Sequence, residues 1–349
     1  MFSALRRAAL VAALGVCFSS QAWAASSTLK PGAMASQHAR YLATVFPGRM
    51  TGSPAEMLAA DYVNQQFSRM DYQSDIRELD IHYPYRHAAR QVDWQHVKGH
   101  MVIAGKKAAS PYQIIVMAHL DTFAPQNDSD TRNNLGGLTY QGLDDNAAGV
   151  GVMLELAERL RDVPTDYTVR FIASSGEEEG RFGSINYVEK MSARDRVNTL
   201  LVINLDNLIV GDKLYFNSGK STPAAVVKLT RDRALAIAAH KGIRATTSPG
   251  LNAKYPKGTG CCNDAESFDQ YGVPVLTVEA TNWSLGKHDG YQQVARSKAF
   301  PDGNAWHNPK LDNIAHIDSA LPGRVEKRSR DVVNVLLPLI TELAQSKRQ

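Results

Sequence analysis

Cysteine is scarce in this chain, and its placement excludes one common kind of zinc site. Only Cys17, Cys261 and Cys262 occur, and the last two are adjacent. A structural zinc site usually spaces its thiolates by at least two residues and takes a second pair from elsewhere in the chain. For Cys261 and Cys262, three states stay open: a strained vicinal disulfide, two free thiols, or pairing with another molecule.

The chain also lacks a large charge excess, a low-complexity linker and an internal repeat. Its formal net charge is +4, too small and too scattered to suggest a nucleic-acid partner. Without a linker or a repeat, residues 25–349 are predicted to form one domain. No run beyond the N-terminal segment is long and apolar enough to span a bilayer, so we expect no membrane anchor.

The N-terminus has the pattern of a cleaved export signal. Arg6 and Arg7 precede an apolar run from Ala8 to Val16, and Ala22-Trp23-Ala24 places small residues where a signal peptidase reads them. The pattern predicts a signal peptide over residues 1–24, with cleavage after Ala24. The mature protein is therefore expected in the periplasm or outside the cell.

Apolar runs and helical periodicities alternate along the rest of the chain. Strands are predicted near 92–94, 100–104, 113–118, 168–173, 200–204 and 273–278, and helices over 33–45, 53–70, 147–161, 222–240 and 324–346. In the helix over 147–161, Glu155 and Glu158 lie opposite the apolar stripe and are expected to face solvent. The alternation predicts an α/β fold with a mixed, mostly parallel central sheet sandwiched between helices.

Three consecutive carboxylates follow one of these strands. The stretch from Phe171 to Ser184 begins as an apolar run and continues into Glu177, Glu178 and Glu179. Packed acids repel each other, so a partly buried cluster is tolerated chiefly where a cation neutralises it or one acid holds a proton. The alternative is a solvated acidic start of a helix, which the helix dipole would favour.

Potential metal ligands follow the neighbouring strands as well. His119-Leu120-Asp121 ends the strand near 113–118, Asp206 follows the strand near 200–204, and Asp144-Asp145-Asn146 begins a helix. The ends of parallel strands converge at one edge of a sheet. Imidazole with several carboxylates suits a pair of divalent ions such as zinc, and two such ions can clamp an attacking water and the carbonyl under attack.

The order of these motifs resembles that of the co-catalytic dizinc aminopeptidases. The motifs are His-x-Asp, Asp-Asn-x-x-Gly, Glu-Glu-x-Gly-x-x-Gly-Ser, Asn-x-Asp and a late His, and the resemblance extends from about Arg49 to Asp318. It implies a zinc-dependent exopeptidase fold of the phosphorylase/hydrolase-like type. It also implies two divalent metal ions, with zinc expected, and hydrolysis of the first peptide bond of peptides or proteins.

The resemblance further assigns a role to each matching position. Glu177 matches the general base that takes a proton from the water between the metals. The implied metal ligands are His119, Asp145, Glu178, Asp206 and His307, with Asp145 bridging the two ions. Asp121 matches the acid that orients the imidazole of His119. Glu179 falls at a variable position, so its replacement is expected to matter least of the three glutamates.

Two parts of this assignment stay open. His307 is preferred as the last ligand, although its spacing to Asp312 is one residue longer than in the family, and His288 is the rival. The family also has a Tyr at the position of Trp306 in some members, which leaves the donor to the scissile carbonyl unassigned.

The substrate and the reaction also have alternatives. If the preferred N-terminal residue is basic, Asp264, Glu266 or Glu279 would line its pocket. A carboxypeptidase or a glutaminyl cyclase on the same scaffold is a second hypothesis. A receptor-like relative without metals is a third, but the presence of the ligand set argues against it.

Overall fold

The computed structural model describes residues 29–88, 90–250, 252–280, 298–301 and 303–346. The predicted signal peptide over 1–24 and the rival ligand His288 lie outside the described residues. Among the helices of the described ranges, none combines the length and the apolar character needed to cross a membrane.

Eight strands form one sheet. They are β1 (Gln73–Arg86), β2 (Val92–Gly105), β3 (Gln113–His119), β4 (Thr168–Ser174), β5 (Thr199–Leu205), β6 (Leu214–Ser218), β7 (Ala245–Thr246) and β8 (Val275–Glu279). Their order is β1-β2-β4-β3-β5-β8-β6-β7. The pairs β4–β3, β3–β5, β5–β8 and β6–β7 are parallel. The pairs β1–β2, β2–β4 and β6–β8 are antiparallel.

Helices cover both faces of this sheet, which confirms the predicted architecture. They are α1 (Ala33–Val45), α2 (Pro54–Arg69), α3 (Asp128–Arg132), α4 (Ala148–Leu160), α5 (Phe182–Lys190), α6 (Ala193–Asn198), α7 (Ala224–Leu229), α8 (Arg231–His240), α9 (Asp264–Gln270), α10 (Ile314–Ala320) and α11 (Arg324–Ala344). Apolar residues of α1, α2, α4, α8 and α11 form the larger core on one face. Residues of α9 and of the C-terminal part of α5 form a smaller core on the other.

Two predicted elements have different bounds in the structure. The single helix predicted over 222–240 is wrong, because Thr230 leaves the helical region and separates α7 from α8. The short strands predicted near 92–94 and 100–104 are one strand, β2, which pairs with β1 along its whole length. The partner strand β1 is mostly exposed and polar. Its sequence therefore has little of the apolar pattern from which a long strand pair could have been predicted.

The expectation that Glu155 and Glu158 face solvent is also wrong, because the side chain of Glu158 is only 8% exposed. Glu155 differs most from that expectation. Its side chain is fully buried. Its two carboxylate oxygens accept hydrogen bonds from the backbone N–H groups of Gly32 and Ala35, each at 2.8 Å. These are donors at the start of α1 that have no partner within the helix, so the carboxylate caps α1 from a neighbouring helix.

The sheet brings the predicted ligands to one edge. β3, β4, β5 and β8 run parallel to one another, so their carboxyl ends lie side by side. His119 ends β3, Glu177 follows β4, Asp206 follows β5 and Glu279 ends β8. This is the edge where open α/β sheets bind ligands.

Candidate metal centre

The first group of metal-binding side chains is built around His119. Its Nε2 atom lies 3.2 Å from Oδ1 of Asp145 and 3.4 Å from Oδ1 of Asp206. All three side chains are buried, and their ligand atoms lie within 4.8 Å of one another. One imidazole and two carboxylates are a ligand set suited to a divalent metal such as zinc.

A second group shares one of these residues. Nε2 of His307 lies 3.0 Å from Oε2 of Glu178 and 3.8 Å from Oδ2 of Asp145. The ligand atoms of these three side chains also lie within 4.8 Å of one another. Asp145 therefore belongs to both groups, with a different oxygen facing each imidazole. The structure thus brings together the five predicted metal ligands in two sites that share one carboxylate.

The state of these carboxylates fits a site for cations. Burial raises the pKa of Glu178 to about 7, and burial also raises the pKa of Asp206. Among the described residues, no hydrogen-bond donor reaches the buried Oε1 of Glu178. Buried acids without enough donors are costly, and a metal ion supplies the missing positive charge. The residues present therefore fit the predicted pair of divalent ions.

His119 is oriented mainly by backbone. Its Nδ1 atom lies 3.1 Å from the backbone oxygen of Asp121 and 3.7 Å from Oδ1 of the same residue. A carbonyl oxygen only accepts hydrogen bonds, so Nδ1 carries the proton and Nε2 is left free to bind a metal. Oδ2 of Asp121 instead accepts a hydrogen bond from the backbone N–H of Glu178 at 3.1 Å, and it lies 3.3 Å from the hydroxyl of Thr51. Asp121 thus connects the two ligand-bearing loops.

The turn that carries the glutamates begins at Gly176. Its φ of 78° lies in the left-handed region, and a Cβ there would come 2.6 Å from Cδ1 of Ile81. The positive φ therefore favours glycine at this position, and the side chain of Ile81 in β1 packs over it. The turn directs Glu177 and Glu178 into a cavity of about 400 Å³ that Asp145, Asp206 and His307 also line.

Glu177 lies in this cavity with a perturbed acidity. Burial raises its pKa well above the usual range, and the carboxylates of Asp206 and Asp264 raise it further, whereas His119 lowers it. A carboxyl group with a raised pKa that faces a cavity is a candidate for proton exchange.

The third glutamate, Glu179, bears on the alternative interpretation of the triplet as a solvated helix start. Glu179 does not begin a helix, because α5 starts at Phe182. Oε2 of Glu179 accepts a hydrogen bond of 2.6 Å from the hydroxyl of Thr51. Burial raises the pKa of Glu179 well above its usual range, and the nearby Asp121 raises it further. The interpretation of the triplet as a solvated helix start is therefore wrong.

Two supporting residues were not among the predicted site residues. Asp312 accepts hydrogen bonds from the backbone N–H groups of Asp144 and Asp145, at 2.7 and 3.1 Å, and from the hydroxyl of Tyr140. That hydroxyl accepts a hydrogen bond from the backbone N–H of His307. Asp312 and Tyr140 therefore hold the backbone of the shared ligand and of the last ligand. The only sequence signal was the position of Asp312 within the motif that follows His307.

A third such residue is Arg49, which is fully buried. Its guanidinium donates to the backbone carbonyls of Leu42, Phe46, Leu120, Gln141 and Gly142. Leu120 directly follows the ligand His119, and Gly142 precedes the turn that bears Asp145. Arg49 therefore ties together two of the three segments that form the first group.

Comparison with known families decides what kind of protein has this site. The model of peptidase family M28 matches residues 100–333. The chain belongs to peptidase family M28. This confirms the family that the motif order indicated, and it confirms a peptidase as the class of enzyme.

Individual relatives agree with the M28 assignment. The chain is 62% identical over 346 residues to the alkaline phosphatase isozyme conversion protein of Escherichia coli (strain K12), covering 99% of this chain and 100% of that protein. The fold is similar to that of BSAP, a zinc aminopeptidase from Bacillus subtilis, with a TM-score of 0.68, 14% identity, and coverage of 92% and 97% of the two chains. It is also similar to the glutaminyl cyclase of Porphyromonas gingivalis, with a TM-score of 0.62, 17% identity and coverage of 89% and 98%.

The residues predicted to contact substrate in this M28 peptidase occupy different environments. Asp264 is 1% exposed and does not line the cavity. One of its carboxylate oxygens accepts a hydrogen bond from Ser174. Asp264 is the first residue of α9, and Asn263 caps that helix. A direct contact between Asp264 and substrate is therefore not supported. Glu279 does line the cavity and accepts a hydrogen bond from Asn217.

Glu266 lines the cavity as well, but two cations neutralise it. Arg181 lies 2.6 Å and Lys254 2.9 Å from its carboxylate oxygens, and these interactions help to lower the pKa of Glu266 against the effect of its burial. The hydroxyl of Tyr255 donates a third contact at 3.0 Å. A basic substrate side chain would have to compete with both cations for Glu266.

The segment from Phe123 to Tyr140 lies at the rim of the site. The ring of Phe123 stacks on that of His307 with a centroid distance of 3.9 Å. The side chain of Gln126 donates to the backbone oxygen of Glu178 at 2.6 Å. This segment between two ligand motifs therefore contacts His307 and Glu178 of the second group.

Proposed function

We propose that this M28 peptidase is an exported, zinc-dependent aminopeptidase that hydrolyses the first peptide bond of peptides or proteins. One observation carries the proposal: two three-residue metal-binding groups share Asp145 and open, with Glu177, into one cavity. The similarity to a zinc aminopeptidase and the predicted signal peptide support the choice of metal, the reaction and the export.

The ligand set divides into two sites with one common member. His119 and Asp206 would hold one ion, Glu178 and His307 the other, and Asp145 would contact both. When bound, such ions polarise a carbonyl group and lower the pKa of a water molecule at the site. The chain's own contribution is to fix the ligands on strand ends and to keep them buried.

Glu177 would carry the proton during the reaction. Its carboxylate faces the same cavity as the ligands, so it can accept a proton from the attacking water and deliver it to the departing amine. Its raised pKa favours this exchange at neutral pH, because a carboxylate of ordinary pKa is a weak base there. The α-ammonium group of the substrate would be held by the carboxylates at this edge, including Asp206 and Glu279.

A glutaminyl cyclase is the second candidate, because solved cyclases share the fold. The two complete metal-binding groups favour the aminopeptidase. Metal stoichiometry and product analysis separate the two reactions, since a cyclase releases ammonia from an N-terminal glutamine and leaves the peptide bond intact.

The decisive experiment measures hydrolysis of aminoacyl-nitroanilides by the mature protein, with and without a chelator, alongside Glu177→Gln. We expect chelation to abolish activity and zinc to restore it. Glu177→Gln should keep its metal but lose about 10²–10⁴-fold in kcat, because an amide of the same size cannot accept the proton. Full activity in chelator, or in the variant, would contradict the proposal. Recovery of the processed chain from the periplasmic or secreted fraction tests export.

A further inference from the structure

A vicinal disulfide forms part of the wall of the catalytic cavity. Cys261 and Cys262 are joined to each other, and both line the cavity that contains Glu177. Cys261 is 8% exposed and packs with Tyr215 and Tyr255, whereas Cys262 is exposed. The ligand assignments above give this disulfide no part in the chemistry.

The same wall separates the catalytic cavity from a second one. The second cavity has a volume of about 470 Å³ and is also lined by Cys261, Tyr255 and Glu266. Tyr255 is held from one side by its hydrogen bond to Glu266 and packs against Cys261 on the other. The position of this aromatic ring therefore depends on an ion-pair network and on the disulfide.

The backbone at the disulfide has an uncommon conformation. Cys262 has a φ of 69°, in the left-handed region that non-glycine residues rarely adopt. The next residue, Asn263, caps α9, which carries Glu266. Opening the disulfide removes the ring that includes the Cys261–Cys262 peptide unit. Cys262 is then free to leave the left-handed region and to carry the cavity wall with it.

We propose that Cys261–Cys262 is a redox-sensitive wall of the substrate cavity, and that its reduction changes which N-terminal side chains the enzyme accepts. This inference rests on the proposed aminopeptidase function. A dithiol reductant would pass two electrons and two protons to the two sulfurs. The S–S bond would break, two thiols would form, and the reductant would become a disulfide.

The structure predicts which substrates respond. A large first side chain contacts more of the wall than the methyl group of alanine does, so its binding depends more on where Cys262 and Tyr255 lie. Reduction should therefore change KM for large side chains and leave kcat with alanine nearly unchanged, because Glu177 and the metal ligands lie on other segments. Selectivity based on side-chain fit is worth about 10–200-fold in kcat/KM.

The test compares the oxidised and the reduced enzyme on alanyl-, leucyl- and arginyl-nitroanilide. A phosphine is used as reductant, because it is not a thiol: water oxygen ends on the phosphine oxide and the two water protons end on the sulfurs. Thiol content is measured by alkylation and mass spectrometry, and metal content by elemental analysis. We expect two alkylated cysteines, unchanged metal, and a shift of about threefold or more in the leucyl to alanyl ratio of kcat/KM.

A matched variant distinguishes the effect of breaking the disulfide from other effects of the reductant. Cys261→Ser/Cys262→Ser lacks the disulfide, so it should show the selectivity of the reduced enzyme and no response to phosphine. If that variant does not fold, the oxidised and the reduced wild-type enzyme are still compared, because that comparison needs no substitution. Fully reduced wild type with an unchanged ratio, or a disulfide that resists reduction in the folded enzyme, would overturn the proposal. An oxidised, metal-loaded enzyme inactive on every peptide substrate would overturn the proposed function, and this inference with it.

Discussion

The Nε2 atom of His119 lies 3.2 Å from Oδ1 of Asp145. The other oxygen of the same carboxylate faces His307. Both imidazoles therefore face one short side chain, which lies in the turn before α4. Because Asp145 is common to the two groups, its loss should affect both metal sites at once.

Asp145→Ala should therefore remove metal from both sites. After dialysis against a weak chelator, we expect the metal content to fall from two ions per chain to less than one. The metal affinity should fall by at least about 100-fold, because replacing a residue that only supports a ligand already lowers it by about 10–100-fold. Elemental analysis of the dialysed protein measures this. The control is Asp144→Asn. Asp144 accepts hydrogen bonds from the backbone N–H groups of Ile209 and Val210 and lies outside both groups. Equal metal loss in the control would contradict the bridging assignment.

Glu179 gives a second prediction, because it lies next to the base and a ligand but has a different partner. Glu179→Gln should keep activity within about threefold and retain both metals, since an amide oxygen can still accept from Thr51. Glu179→Ala should lower the free energy of unfolding by about 0.5–1.5 kcal/mol, because it removes the shorter contact of the Thr51 hydroxyl and leaves Oδ2 of Asp121, at 3.3 Å, as its acceptor. Urea unfolding and steady-state kinetics check both. A Glu179→Gln variant as inactive as Glu177→Gln would assign Glu179 to the chemistry.

Arg49 should support stability and metal affinity together. Arg49→Met keeps much of the side-chain length but removes the donors to five backbone carbonyls. Leaving several buried acceptors unpaired should cost about 3 kcal/mol or more. The stability of Arg49→Lys should lie between those of Arg49→Met and the wild type, because an ammonium group supplies three donors at most. Urea unfolding of the chelated protein measures stability, and metal titration at low urea measures affinity. Exposed Arg233 provides the control, as Arg233→Met.

A buried histidine far from the metal ligands predicts how stability depends on pH. Burial lowers the pKa of His38 from 6.5 to about 4. Between these values the unfolded chain binds a proton that the folded chain does not, so stability falls as pH falls through this window. From pH 7.5 to pH 5, His38 should account for a loss of about 2 kcal/mol. Urea unfolding at both pH values measures it.

The variant His38→Gln should remove that share of the pH dependence, whereas His240→Gln, at an exposed position of α8, should leave it intact. The amide side chain does not titrate, so the comparison isolates the imidazole from all other groups. An unchanged pH dependence in His38→Gln would mean that the proton is taken up elsewhere.

Four of the five ligands could be located from sequence because they follow a strand or lie just before a helix, whereas His307 lies in a turn and was placed only by the order of the motifs. His119 and Asp206 follow apolar runs, and parallel strands necessarily bring their carboxyl ends to one edge. The same logic placed Glu177 and Glu178, although the third glutamate proved to be buried against Thr51. Motif order, more than any one residue, carried the prediction.

The supporting residues could not be found in this way. Arg49 donates only to backbone carbonyls, which every residue possesses, so no sequence pattern marks its partners. Glu155 has the spacing of a surface position, yet the start of α1 lies over it and uses both of its oxygens. Such contacts depend on how distant segments pack, and local periodicity does not contain that information.

The five ligands come from chain positions between His119 and His307, so the complete metal site exists only in the folded protein. Any ion that binds there adds its binding free energy to folding, by about 2.7 kcal/mol at a free concentration 100 times the dissociation constant. A chelator should therefore lower the free energy of unfolding of this chain. The chain should reach its full resistance to unfolding only where free zinc is available.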